Sequence, residues 1–128
     1  MGRRMATINL ALSVFLFGFL KANAAEKSKT VSEMLSLYAA GTEQYRLVNT
    51  LIVGATGRAL SWANSKLRVE GRNPLYCRPD KLIMNNEQYL LMLKNAVKKN
   101  PTLGTYPVNA LGMIVLDILI DTFPCSKG

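Results

Sequence analysis

The stretch that decides the fold is TEQYRLVNTLIVGATGRALSWANSKL, residues 42–67. Apolar residues recur in it at steps of three and four, the spacing of one face of an α-helix. This stripe consists of Val48, Leu51, Ile52, Ala55, Ala59, Leu60 and Trp62. Thr42 stands where an N-cap is expected. The pattern predicts a long helix whose apolar stripe, including Trp62, packs in the core or in an interface.

Two glycines lie within this predicted helix. Gly54 and Gly57 each lower helix stability by about 1 kcal/mol relative to alanine. Such a cost makes sense where another helix packs closely against the backbone. The pair therefore predicts a close contact between this helix and a neighbouring one.

Shorter helices are predicted on both sides of the long one. Upstream, Thr30 and Glu33 match a capping box, and Gly41 ends that helix in the manner of a C-cap. Downstream, Asn85 and Gln88 form an N-cap and N3 pair that begins a third helix. The apolar stripe of this third helix consists of Tyr89, Met92, Leu93, Ala96 and Val97.

The C-terminal part predicts a fourth helix, from about Val108 to Thr122, after a short loop at 102–107. Its apolar face consists of Leu111, Ile114, Val115, Ile118 and Leu119. Strand-like alternation of useful length does not occur in the sequence. We therefore expect an all-α fold, a small helical bundle of about four helices with one disulfide.

The first 24 residues predict where the protein works. Arg3 and Arg4 precede an uncharged apolar run at 8–20, and small residues stand at Ala22 and Ala24. This arrangement is typical of a cleaved secretory signal peptide at 1–24, which leaves 25–128 as a single helical domain in the periplasm. A membrane anchor is the alternative, but a span needs about 20 apolar residues. The strongly apolar run favours the general secretory route over the twin-arginine route, and no stable membrane insertion is expected after cleavage.

Cys77 and Cys125 are the two cysteines of the chain. In an oxidising compartment two cysteines allow only one intramolecular pairing, so a structural disulfide is expected. Neither cysteine stands in a C-x-x-C pattern, which argues against a reactive pair.

Composition favours binding over catalysis. The chain has no histidine, which removes the commonest general base and metal ligand. The sequence shows no glycine-rich phosphate loop, and no cofactor, metal site or catalytic residue is expected. Without the leader, the formal net charge of +8 falls to about +5, and the basic residues are spread out. This scattered positive charge excludes nucleic acid as the natural partner. It favours an acidic protein or an anionic envelope surface, unless the basic surface serves solubility alone.

Three landmarks stand from Tyr76 onward: Tyr76-Cys77-Arg78-Pro79, then Gln88 in the first turn of the next helix, then Phe123-Pro124-Cys125. In their order and separation they resemble the Rap/Tai family. Members of this family are small, helical, exported immunity proteins that protect bacteria from peptidoglycan amidase effectors of type VI secretion. Gly54 also fits the family pattern, whereas Leu51 replaces its aromatic residue and Gly57 replaces its acidic residue. The resemblance implies a periplasmic immunity protein, not an enzyme, and leaves the identity of its effector open.

The resemblance also implies inhibition by occlusion, in which a loop on a helical, often homodimeric, body covers the amidase cleft. Two loops are candidates for this contact. One spans 103–107, with Leu103 and Tyr106 as anchors, and the other spans 68–78, with Arg72 and Arg78. Tyrosine and arginine are favoured hot-spot residues. Each segment can equally be an ordinary connecting loop.

A periplasmic chaperone resembling the acid-stress family of the enteric envelope is the alternative function. Such chaperones are also small, helical and disulfide-bonded, and they expose apolar surface when acid protonates their carboxylates. With only 8 carboxylates and no histidine, this chain has few groups that sense acid. An envelope scaffold or ligand-binding module is a third class that the sequence leaves open.

Overall fold

The computed structural model describes residues 29–126, of which 72% are helical. The four α-helices are α1 (Val31–Ala40), α2 (Glu43–Val69), α3 (Asn86–Lys99) and α4 (Leu111–Thr122). Two 3-10 turns, Pro101–Thr105 and Val108–Ala110, connect α3 to α4. The prediction of a small all-α bundle with one disulfide is confirmed. The expected signal peptide at 1–24 lies outside the described residues.

Side chains fix the beginnings of α1 and α3 as the sequence predicts. In α1 the Thr30 hydroxyl accepts from Glu33 N at 3.2 Å, and the Glu33 carboxylate accepts from Thr30 N at 2.7 Å. Asn85 and Gln88 make the equivalent reciprocal pair at 2.9 and 2.8 Å. Each pair satisfies amides that have no partner within the helix.

Two predicted helix ends differ from the observed ones. Gly41 does follow α1, but its φ of −82° is extended and not the left-handed conformation of a glycine C-cap. The last α-helix begins at Leu111 and not near Val108, because residues 108–110 form a 3-10 turn first. Such turns are common at helix beginnings.

The core contains residues from all four helices and from the connection between α2 and α3. Its most deeply buried large side chains are those of Val31, Val53, Tyr76, Leu93, Ile114 and Leu119. The stripes predicted for α3 and α4 do face the core, with Tyr89, Leu111 and Val115 also buried. In α3 and α4, hydrophobic periodicity therefore identifies the buried face correctly.

The apolar stripe predicted for α2 does not face the core of the chain, so an interface is the one of its two predicted locations that remains. The buried residues of this helix are Asn49, Thr50, Val53, Gly54, Gly57 and Asn64, a set dominated by small and polar side chains. The apolar stripe lies largely in solvent, and Trp62, expected in the core or an interface, is 77% exposed in this chain. The physical reason is that α2 meets its neighbours through close backbone packing and side-chain amides, which a search for apolar periodicity does not detect.

The two glycines of α2 explain this close packing. A Cβ atom on Gly54 would lie 2.6 Å from Asn86 Cβ, and one on Gly57 would lie 2.5 Å from Tyr89 Cγ. Both partners belong to the first turn of α3, so the predicted close contact between helices is confirmed. Arg58 strengthens the same contact by donating to the Asn86 side-chain oxygen.

The disulfide between Cys77 and Cys125 joins the connection after α2 to the segment after α4, with 4.8 Å between the two Cα atoms. Beside it, Cys77 N donates a hydrogen bond to Phe123 O at 2.8 Å. The bridge therefore closes both ends of the C-terminal half onto each other. Within residues 29–126 no helix is both long and apolar enough to span a membrane.

Candidate protein-binding surfaces

A row of exposed apolar side chains lies on the outer side of α2. We call it the outer stripe and define it by Val48, Leu51, Ile52, Ala55, Ala59 and Trp62. The four large side chains are between 43% and 77% exposed. These positions fall about half a turn away from Val53 and Gly57, which face the core. A continuous apolar stripe of this kind marks a site of protein or membrane contact more often than a surface that binds nothing.

The segment after α3, predicted as a loop, is a fixed 3-10 turn. The Asn100 side chain accepts from Thr102 N at 3.2 Å, and Tyr106 O accepts from Val31 N at 2.9 Å. A further hydrogen bond, from Val108 N to Lys29 O at 2.8 Å, holds the end of the segment. The segment is therefore attached to the N-terminus of α1 and held in one shape.

The two candidate anchors of this segment have different surroundings. Leu103 is half-buried and packs against the core, whereas Tyr106 is 40% exposed. An exposed tyrosine on a fixed backbone can contact a partner without a large ordering cost. Tyr106 therefore lies at the surface, whereas Leu103 contributes to the packing of the core.

A groove of about 830 Å³ lies between α3 and α4, beside Leu103. Apolar side chains such as Met92 and Ile118 line it, together with the carboxylates of Asp117 and Asp121. This combination suits an apolar group that carries a positive charge. Both carboxylates lie on exposed positions of α4.

The second candidate segment, 68–78, does not bring its two arginines into one environment. Arg72 is exposed and lies 3.6 Å from the Glu70 carboxylate. Arg78 is half-buried beside Tyr76, at a polar pocket formed with the C-terminal part of α2. Just before Arg72, Gly71 adopts a φ of 69°, which turns the chain after α2 and favours glycine.

Two buried asparagines of α2 position the neighbouring segments, and sequence reasoning missed both. Asn49 Nδ2 donates to Met34 O at 3.1 Å, which joins α1 to α2. Asn64 makes the equivalent contacts to the backbone at Leu75 and Tyr76. The signal was present, since each asparagine lies on the face of α2 that carries Val53 and Gly57, but polar residues on a helix are usually assigned to solvent.

The Tyr76 phenol is a buried titratable group whose surroundings shift its pKa. Burial raises the pKa of the Tyr76 phenol, and Tyr89 adds to this, while Ser61, Arg78 and Arg68 oppose it. Among residues 29–126, no three His, Cys, Asp or Glu side chains come together as a metal site would require.

The chain was compared with known families, curated proteins and solved structures. No protein-family model, curated protein or solved structure gives a significant match to the chain.

Proposed function

We propose that the protein is a periplasmic immunity protein that binds and occludes a peptidoglycan amidase effector of type VI secretion. The observation that carries a protein-binding role is the outer stripe of α2, where large apolar side chains lie in solvent. The landmarks at Tyr76–Pro79 and Phe123–Cys125 support the immunity role by their resemblance to the Rap/Tai family. Occlusion needs no catalytic residue, cofactor or metal.

The outer stripe is proposed to bind a second copy of the chain. In an antiparallel pair the partial positive charge at the N-terminus of each α2 would lie near the partial negative charge at the C-terminus of the other. Replacing Leu51 and Trp62 by glutamine should convert the dimer to a monomer in light scattering. Ile83→Gln, at an 87% exposed residue outside the stripe, should leave the mass unchanged.

The fixed segment around Tyr106 is proposed to contact the amidase. Its hydrogen bonds to α1 hold the exposed tyrosine in place before the partner arrives, which lowers the entropic cost of association. Arg72 and Arg78 are the candidates on the second segment. A stoichiometric complex with an amidase would support this function, as would loss of peptidoglycan hydrolysis by that amidase.

The decisive experiment is co-purification of the protein with a panel of secreted peptidoglycan amidases. Immunity predicts a stable complex with at least one of them and inhibition of that enzyme in a hydrolysis assay. If no amidase from a type VI locus binds, the immunity function is wrong.

A chaperone role is the second candidate, because the outer stripe offers apolar surface for an unfolded client. The two functions differ in their response to acid. A chaperone of the acid-stress type should bind an apolar dye much more strongly at low pH and suppress client aggregation there. An immunity protein should inhibit its amidase at neutral pH and show no such activation.

A further inference from the structure

A small polar pocket of about 140 Å³ lies between α2 and the segment that follows Tyr76. We call it the polar pocket and define it by Ser61, Ser65, Arg68, Tyr76, Arg78 and Asp80. Nearly all of its lining is polar, in contrast to the apolar groove between α3 and α4. It is therefore a place for a charged or strongly hydrogen-bonding ligand.

Tyr76 presents an unused donor at this pocket. The residue is 1% exposed, and its hydroxyl has no hydrogen-bond partner among residues 29–126. The Ser61 hydroxyl is close enough for a hydrogen-bonding contact that lowers the pKa of the phenol, although the two side chains do not meet the geometry of a full hydrogen bond. Leaving a buried hydroxyl without a partner is unfavourable, so a buried donor of this kind calls for an acceptor.

The charges of the pocket are not balanced. Arg68 forms an ion pair with Asp80 at 2.9 Å. Arg78 is half-buried and has no carboxylate within salt-bridge distance in the described part of the chain. The positive charge of Arg78 favours the ionised phenol and so opposes the rise in the pKa of Tyr76. One guanidinium, beside a buried hydroxyl donor, is therefore left to attract a negative charge.

We propose that the polar pocket binds an oxyanion, either a carboxylate or a phosphate group. Arg78 supplies the charge and a planar pair of N–H donors, which matches both groups. Tyr76 Oη and Ser61 Oγ donate the remaining hydrogen bonds. The source of the oxyanion is an acidic side chain of a bound protein or a free anion. Anion binding at this pocket does not require the amidase, so it can be tested independently of the proposed function.

The test is a titration of the protein with acetate, glutamate and phosphate at constant ionic strength, followed by thermal unfolding and by amide NMR shifts. Binding predicts a saturable rise in melting temperature and saturable shifts at residues 76–80. Tyr76→Phe keeps the ring and should weaken binding roughly tenfold. Arg78→Gln should abolish it.

Arg46→Gln is the matched control, because this exposed arginine lies about 22 Å along α2 from Ser61. It removes the same charge and should leave the binding constant unchanged. Saturable binding of acetate and glutamate would show that the pocket takes a carboxylate, the group that an acidic side chain of a bound protein supplies, and binding of phosphate alone would show that it takes a free phosphate anion. The proposal is overturned if none of the three anions binds saturably, or if Arg46→Gln weakens binding as much as Arg78→Gln.

Discussion

The side-chain amide of Asn64 holds the backbone of Tyr76 against α2. Asn64 Nδ2 donates to Tyr76 O at 2.9 Å, and Asn64 Oδ1 accepts from Leu75 N at 2.6 Å and from Tyr76 N at 3.4 Å. Asn64 is only 5% exposed, so water cannot easily replace these contacts. One buried amide thus fixes the segment that carries Cys77 and the polar pocket.

We expect Asn64→Ala to lower the free energy of unfolding by about 2–3 kcal/mol, because it leaves buried backbone groups without partners. Chemical denaturation followed by circular dichroism measures this change. Asn73→Ala, in the exposed turn after α2, is the control and should stay within about 0.5 kcal/mol of wild type. Equal stability of the two variants would contradict the role assigned to Asn64.

The disulfide should contribute a large part of the stability. Cys77 and Cys125 are 48 residues apart in sequence, and the chain-entropy model gives a bridge of this span about 4 kcal/mol. The double serine variant is therefore expected to melt roughly 15 °C or more below the wild type. Reducing agent should lower the melting temperature of the wild type to that of the variant. A variant that melts within a few degrees of the oxidised protein would argue against this stabilisation.

Gly57→Ala tests the close contact between α2 and α3. Alanine favours the helix by about 1 kcal/mol, but its Cβ would overlap the buried ring of Tyr89. We expect the overlap to prevail and the variant to be destabilised by about 1–3 kcal/mol. Gly112→Ala in α4 is the matched control, because its added Cβ would have no atom within 4 Å beyond its chain neighbours and the backbone of its own helix. It should be neutral or stabilising, and the opposite order of the two variants would refute the packing account.

Local patterns predicted much of this fold. The capping pairs at Thr30 and Asn85 specify where two helices begin, because a cap depends only on residues three apart. The apolar stripes of α3 and α4 face the core because large side chains fill it there. α2 follows another rule, since Gly57 and Asn64 form its inner face and large apolar residues are left outside. The buried face of such a helix depends on the elements that pack against it. The sequence of the helix alone does not identify those elements.

The candidate site was predictable only in part. Cys77 and Cys125 follow from their number and the expected compartment. Arg78 was found as a loop arginine, but its place beside Tyr76 depends on the contacts that Asn64 makes across the bundle. Leu103 stood in a predicted loop, yet the 3-10 turn packs it against the core. Long-range contacts of this kind leave no periodic signal in the sequence.

A pair of substitutions in α2 tests which face is buried. Val53 is fully buried, whereas Leu51, two positions earlier, is 46% exposed. Val53→Ser should lower the free energy of unfolding by about 2–4 kcal/mol, because it leaves a cavity and a buried hydroxyl. Leu51→Ser should change the stability of the folded chain by less than about 1 kcal/mol, measured at a concentration where the protein is monomeric. The reverse order would mean that the outer stripe faces the core after all.

Tyr106→Ala and Leu103→Ala should separate binding from stability. Tyr106 is partly exposed and contributes to the fold mainly through its backbone carbonyl, which any residue retains. Its replacement should leave the melting temperature within a few degrees of wild type and weaken binding to the cognate amidase by about 2 kcal/mol, roughly thirtyfold. Leu103→Ala should instead cost about 1–3 kcal/mol of stability, since the side chain packs against the core. Isothermal titration calorimetry with the identified amidase measures the affinity, and thermal unfolding measures the stability. If Tyr106→Ala binds as tightly as wild type, the contact lies elsewhere, and Arg72→Ala and Arg78→Ala then test the second segment in the same assay.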